Sequence, residues 1–332
     1  MGGPNTHFAQ LKKKFPIFCW EEAQHMAAAT GYRDAPTEEE LLAYGDLPRH
    51  GRDMAEVFAV RVPAAAVAVG GGGGRSLPCG TIFFHGGNSC SDLIFSRERS
   101  GTDELAAPQP CDSEGNLVLT GPSVATSAYG PVGFDIHLHD GTHGEPSLQA
   151  DGGGGGGNDQ DDSNNGRVFC DTVSGEFSTY DRVITETVAT GYGPANVVYA
   201  VLSNAVQGRV AVKLTALPAG DGADAATGVL GRVVARSKLL DAGCVLFYGE
   251  RDGEGGVPVR PGDLLPLARQ ALAVPLHKPL TIELNLRSDS GEEIVRGAVE
   301  FDPAITGEHI ERVVGTSGAE MEVTVSWSDY PW

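Results

Sequence analysis

The clearest periodicity in the chain lies in its last third. Leu280, Ile282, Leu284 and Leu286 alternate with polar residues, and so do Met321, Val323, Val325 and Trp327. A period of two sends one row of side chains into a core and the other into water, as in a half-buried β-strand. Similar short runs, bounded by Gly, Pro, Asn and Asp, occur at 57–62, 80–85, 93–96, 116–120 and 133–139. They continue at 168–172, 196–202, 209–216, 229–236, 244–248, 265–274, 280–287, 293–301 and 320–327. Many short strands with no helical pattern between them predict an all-β fold, an antiparallel β-sandwich of jelly-roll type, over residues 55–329.

Residues 1–54 carry a different pattern. The stretch 20–29 is rich in helix formers and stops at Gly31. After Pro36, Thr37 and Glu40 form a capping box, Leu41 and Leu42 give an apolar side, and Gly45 ends the turn. A short α-helical N-terminal extension is the expectation. Glycine runs at 70–74 and 152–157 punctuate the strands, the second followed by an Asn/Asp/Gln tract. With high backbone entropy and little apolar surface, 145–166 is expected to be a disordered loop. Neither run leads through Gly-Lys-Ser/Thr into a helix, so a phosphate-cradling loop is excluded.

Composition narrows the partners. The 332 residues are 41% hydrophobic, enough for a folded core, and the net charge of -20 disfavours nucleic acid. The six cysteines show no CxxC pair, and no Asn-x-Ser/Thr acceptor occurs. Free thiols in a reducing, cytoplasmic setting follow from this usage. No apolar run is long enough to span a bilayer as a helix. The start, Met1-Gly2-Gly3-Pro4-Asn5-Thr6, fits N-myristoylation at Gly2, with Lys12, Lys13 and Lys14 as a second, basic membrane signal.

The candidate chemistry gathers in one stretch. His137 and His139 are two apart and share a face of a strand, and His143 and Glu145 follow. Three imidazoles and a carboxylate suit a divalent metal, and the order resembles the first cupin motif on a jelly-roll fold. Five residues separate His139 from Glu145, more than that motif has, and no second motif accompanies His277 or His309. Phe134, Ile136 and Leu138 form the apolar row, so His137 and His139 are expected to point away from the core. His85 before Gly86-Gly87 echoes an oxyanion loop, but there is no Gly-x-Ser-x-Gly elbow. Glu186, Glu292, Glu293 and Glu300 could supply a glycosidase-like acid and base only if the fold paired them.

Several segments together carry a family resemblance. They are Leu93-Ile94-Phe95-Ser96-Arg97-Glu98-Arg99-Ser100, Leu117-Val118-Leu119-Thr120-Gly121-Pro122, the Phe134-Asp135-Ile136-x-Leu138 strand, the run from Val197 to Val206, and Met321 to Trp327. In order and spacing they resemble the plant family of domains of unknown function numbered 6598, which is expanded in grasses. The resemblance implies an all-β fold with no settled activity, and polar residues of varied type at the His137 and His139 positions. Some members are joined to ribosome-inactivating domains, for which residues 1–54 leave no room. The leading expectation is a non-catalytic binding module for a protein or glycan partner, with a role in stress or defence and no cofactor. The alternatives are a cupin-like metal enzyme using His137, His139, His143 and Glu145, and a peripheral membrane protein acylated at Gly2.

Overall fold

The computed structural model describes residues 51–63, 78–86, 91–98, 111–112, 114–128, 132–139, 166–170, 180–217, 226–238, 240, 242–250 and 256–329. Among these the protein is all-β and antiparallel, and no helix occurs. The expected N-terminal helices and nearly all of the 145–166 tract lie outside the described residues; Gly166 opens a strand.

The first strands in chain order are β1 (Arg52–Arg61), β2 (Cys79–His85), β3 (Ser91–Arg97), β4 (Thr126–Ser127), β5 (Val132–His139), β6 (Gly166–Cys170) and β7 (Ile184–Thr190). Then comes β8, a 24-residue strand from Gly193 to Ala216. After it run β9 (Thr227–Ser237), β10 (Ala242–Gly249), β11 (Val257–Val259), β12 (Ala271–Pro275), β13 (Leu280–Ser288), β14 (Glu293–Phe301), β15 (Thr306–Val314) and β16 (Glu320–Ser328). They form three sheets. One is ordered β15-β16-β8-β1-β4, with β7 and β12 also on β8; the others are β10-β9-β13-β14, with β11 on β9, and β3-β2-β5-β6.

β8 organises the molecule, because its two halves serve different cores. Its first half pairs with β1 and β7, its second half with β12 and β16. In the first sandwich, Ile82, Phe84, Phe134 and Ile136 of the small sheet pack on Val57, Val197 and Tyr199. Phe84 and Phe134 stack at 4.7 Å, and Phe134 meets the Tyr199 ring edge-on at 5.2 Å. In the second sandwich, Val210, Val212 and the alternating row Met321, Val323, Val325 and Trp327 pack on Ile282, Leu284, Val233 and Leu246. The period-two rows read from the sequence are therefore the rows that fill this core.

A third, small cluster joins the two sandwiches. Met54, Phe58, Ala59, Val198, Ala200, Leu202 and Ala205 lie on the other faces of β1 and β8, with Ala273 of β12, Leu240 and Ala242 against them. The alanines let the sandwiches approach closely. A register shift between Val57 and Ala59 turns the strand here. Glu56 falls between Met54 and Phe58 and is therefore buried in this joint.

Four sequence expectations change in detail. The segments 196–202 and 209–216 are one continuous strand. The 116–120 run makes only isolated bridges from Asn116 and Leu117. Strand structure in 265–274 is confined to its end, from Ala271. β7 and β15 were not expected, and β15 is exposed along nearly its whole length.

Candidate functional site

Both sandwiches contribute to one cleft of about 460 Å³. It lies between the outer face of β1, β7 and β8 and the outer face of β9 and β10. Phe58, Leu117 and Val198 give it an apolar wall on one side, and Val234, Leu240 and Val245 one on the other. Its size is that of a small-molecule site.

The polar groups at the cleft are placed by a short turn. Asp112 accepts from the backbone N–H of Glu114 at 2.9 Å and of Asn116 at 2.8 Å, and from Asn116 Nδ2 at 2.8 Å. Gly115 has φ +85°, which a residue with a side chain adopts only with strain. The turn is tied to the end of β1: Val62 N–H donates to Gly115 O, and Leu117 N–H donates to Val60 O, both at 2.9 Å. Arg61 Nε then donates to Asn116 Oδ1 at 2.9 Å. Across the cleft, Arg232 on β9 is 3.8 Å from Glu114, whose side chain is 67% exposed. Arg236 is engaged elsewhere, donating to Glu283 at 2.7 Å. Cys244 also borders the cleft, but its side chain belongs to the core of the second sandwich, where burial pushes the thiol up to about 12, so it is no nucleophile at neutral pH.

Behind the cleft lies a buried ion pair. Arg269 and Glu56 meet at 2.6 Å with 1% and 3% of their side chains exposed. Arg269 also donates from Nε to Ala271 O and from NH1 to Val57 O, both at 2.8 Å, and Glu56 accepts from Ala273 N–H at 2.6 Å. Burial outweighs the attraction of Arg269 and raises the Glu56 carboxyl to about 6. The pair fixes β1 of the first sandwich to the segment leading into β12 of the second.

A second polar constellation crosses the outer face of the small sheet. Ser91 Oγ is 2.5 Å from His85 Nδ1, His85 Nε2 is 2.9 Å from Asp135 Oδ2, and Arg167 Nε is 2.7 Å from Asp135 Oδ1. Arg167 and His85 hold the Asp135 carboxyl below the usual range. An ionised carboxylate only accepts, so a neutral His85 carries its proton on Nε2 and accepts from the Ser91 hydroxyl. Serine, histidine and aspartate thus line up, but on an open sheet face, with Arg167 sharing the carboxylate. One residue comes from each of β3, β2, β5 and β6, so the row pins the register of all four strands.

The sequence-derived site residues fare differently. His137 and His139 lie on β5 with Asp135, half-exposed, while Phe134, Ile136 and Leu138 are buried, as the alternation implies. His143, Glu145 and Gly2 lie outside the described residues. Among the described residues no three metal-ligating side chains cluster. Glu186 accepts from the Tyr199 hydroxyl at 2.7 Å, while Glu300 sits on another sheet, 2.6 Å from Lys238. The cleft residues Arg61, Glu114, Asn116 and Arg232 were missed. In sequence they are ordinary surface polars; only the Asp-x-x-Gly-Asn turn around Gly115 marked a constrained backbone.

Residues 54–325 match the family model described as a domain of unknown function, DUF6598. The chain belongs to the DUF6598 family. The match runs from β1 into β16, so both sandwiches and the cleft between them lie within the DUF6598 region. No match is found among curated proteins. Two solved structures resemble the chain weakly. One comprises the two C2 domains, A and B, of extended synaptotagmin 2, with 9% identity, TM-score 0.22, and coverage of 86% of this chain and 93% of that one. The other is the human GIVD cytosolic phospholipase A2, with 10% identity, TM-score 0.21, and coverage of 83% and 32% respectively. Such TM-scores tie neither overall arrangement to this DUF6598 chain.

Proposed function

We propose that this DUF6598 protein is a non-catalytic binding module whose ligand site is the cleft between the two sandwiches. The observation that carries this reading is the cleft itself. It combines apolar walls from two sheets with a few oriented polar groups, the usual composition of a binding site. The Cys244 thiol beside it is packed into a core and unreactive at neutral pH, and the serine–histidine–aspartate row lies elsewhere, on an open face where water has free access. A cytoplasmic setting, a plant host and a role in stress or defence belong to the same proposal and rest on the family resemblance and cysteine usage.

The test is a mixture of small soluble fragments titrated into isotope-labelled protein, followed by amide chemical shifts. The reading expects perturbations that cluster at Ala59, Asn116, Leu240 and Val245. Perturbations confined to the face bearing Ser91 and Asp135, or labelling of Ser91 by a fluorophosphonate, would overturn it in favour of an enzyme.

A further inference from the structure

We infer that the cleft takes a small organic anion with a flat apolar body, its charged group held between Arg61 and Arg232; this rests on the cleft being the ligand site. The charge on the cleft walls runs against that of the chain. The protein carries -20 overall, yet Arg61, Arg232 and Arg236 line this cavity against only Asp112 and Glu114. Asp112 is buried and spends its oxygens on three hydrogen bonds within its own turn. Arg236 is paired with Glu283. That leaves Arg232 near Glu114 and Arg61 on the same cavity, with Asn116 as its partner.

Among the described residues neither guanidinium is taken up by a carboxylate at hydrogen-bond distance, and both are open to solvent. The partner these residues give to Arg61 is the neutral amide oxygen of Asn116, reached through Nε alone. A guanidinium has five N–H donors in a planar fork. Arg232 has only the long 3.8 Å approach to Glu114. Glu114 itself is mostly exposed and also receives a weak 3.4 Å contact from Asn116 Nδ2. The solvated Glu114 carboxylate, loosely placed beside Arg232, stands where a ligand carboxylate would meet that guanidinium with better geometry, and Arg61 lines the same cavity from the other sandwich. Phosphate or sulfonate fits the same fork, but the cavity is small, and apolar side chains from both sheets share its walls with the polar groups. The observations therefore favour a compact monoanion with a ring or short chain that fills the slit between the sheet faces.

The experiment uses three matched probes with the full-length protein: naphthalene-2-carboxylate, its neutral amide, and naphthalen-2-ylmethylammonium. Affinities are measured by calorimetry and the contact surface by amide shifts. The carboxylate should bind at least about tenfold more tightly than the amide, and the ammonium most weakly. Arg61→Gln and Arg232→Gln should each lower carboxylate affinity about tenfold and leave the amide unchanged. Glu114→Gln should raise carboxylate affinity, a gain that misfolding cannot imitate. Equal binding of carboxylate and amide at the cleft would overturn the anion reading and leave the cleft as a site. Carboxylate binding insensitive to all three substitutions would overturn it too. If no probe perturbs the cleft, the anion reading and the binding reading fall together.

Discussion

Replacing Arg269 with methionine removes one side chain from the joint between the sandwiches and leaves three acceptors behind. These are Val57 O, Ala271 O and the Glu56 carboxylate, all drawn to Arg269 at 2.6 to 2.8 Å in a site with almost no solvent exposure. Breaking a buried pair by removing one partner typically destabilises by about 3–5 kcal/mol, since the remaining charge has no compensation. The pH dependence makes the prediction sharper. In the native protein the Glu56 carboxyl sits near 6, above its ordinary 4.5. Its contribution to stability is therefore fully present below pH 4.5 and lost as the pH rises through 6, a change of about 2 kcal/mol. Without Arg269 the folded carboxyl holds its proton to still higher pH. The deficit of Arg269→Met should thus be largest near pH 8 and shrink toward pH 5. Urea unfolding followed by tryptophan fluorescence at pH 5, 6.5 and 8 measures this directly. The double variant Glu56→Leu/Arg269→Met, which removes both charges, should recover most of the loss at pH 8. A single-variant deficit under about 1 kcal/mol, or one that grows on acidification, would refute the assignment of this pair as the clamp between the sandwiches.

Other expectations follow from the same structure. Gly208→Leu should destabilise by about 1–3 kcal/mol in thermal unfolding, because even a Cβ at Gly208 would come within 2.9 Å of the Trp327 ring and 3.3 Å of Val274. Ala200→Leu should have a similar effect, since Ala200 is fully buried in the joint. The Asp135 carboxyl is lowered by Arg167 and His85, so its stabilising contribution is present above the ordinary carboxylate range and lost as the pH falls through its lowered value. An NMR titration of Asp135 should show that depressed midpoint, and Arg167→Ala should raise it. Cys111 and Cys244 are buried free thiols pushed up to about 12 by burial, and peptide mapping should find them unmodified by a thiol reagent until the protein is denatured.

The sequence reveals those parts of the fold where one strand face is buried and the other wet. β5, β13 and β16 alternate strictly, and the structure buries the expected rows. β15 escapes notice because Thr306 to Val314 is exposed on both faces except at Val313, so burial imposes no period on its sequence. β8 reads as two strands because Ser203, Asn204 and Gln207 look like a turn. Tertiary partners satisfy all three instead: Ser203 Oγ donates to Asp181 Oδ2, Asn204 Oδ1 accepts from Gly51 N–H, and Gln207 Oε1 from Ala125 N–H. The alternation in β5 places His137 and His139 off the buried row correctly. The cleft is not legible because Arg61 and Arg232 come from distant parts of the chain. Each reads as a solvated charge until the fold sets them on one cavity, and the pairing of Glu56 with Arg269 is hidden in the same way.

The shared strand also dictates a timetable. The main partner of β1 is β8, and even their nearest pair, Arg61 with Asn196, is 135 residues apart; before β8 exists, β1 can pair only with the two-residue β4 and the bridge at Asn116. At a synthesis rate of about 5–20 residues per second, β1 waits roughly 7 to 27 seconds on the ribosome with its apolar residues uncovered. During that interval β2, β3 and β5 can pair among themselves and shield the small sheet, but their inner face has nothing to close on. This protein should therefore lean on chaperones early in its synthesis, and slowing translation just before residue 193 should lower its soluble yield more than slowing it afterwards.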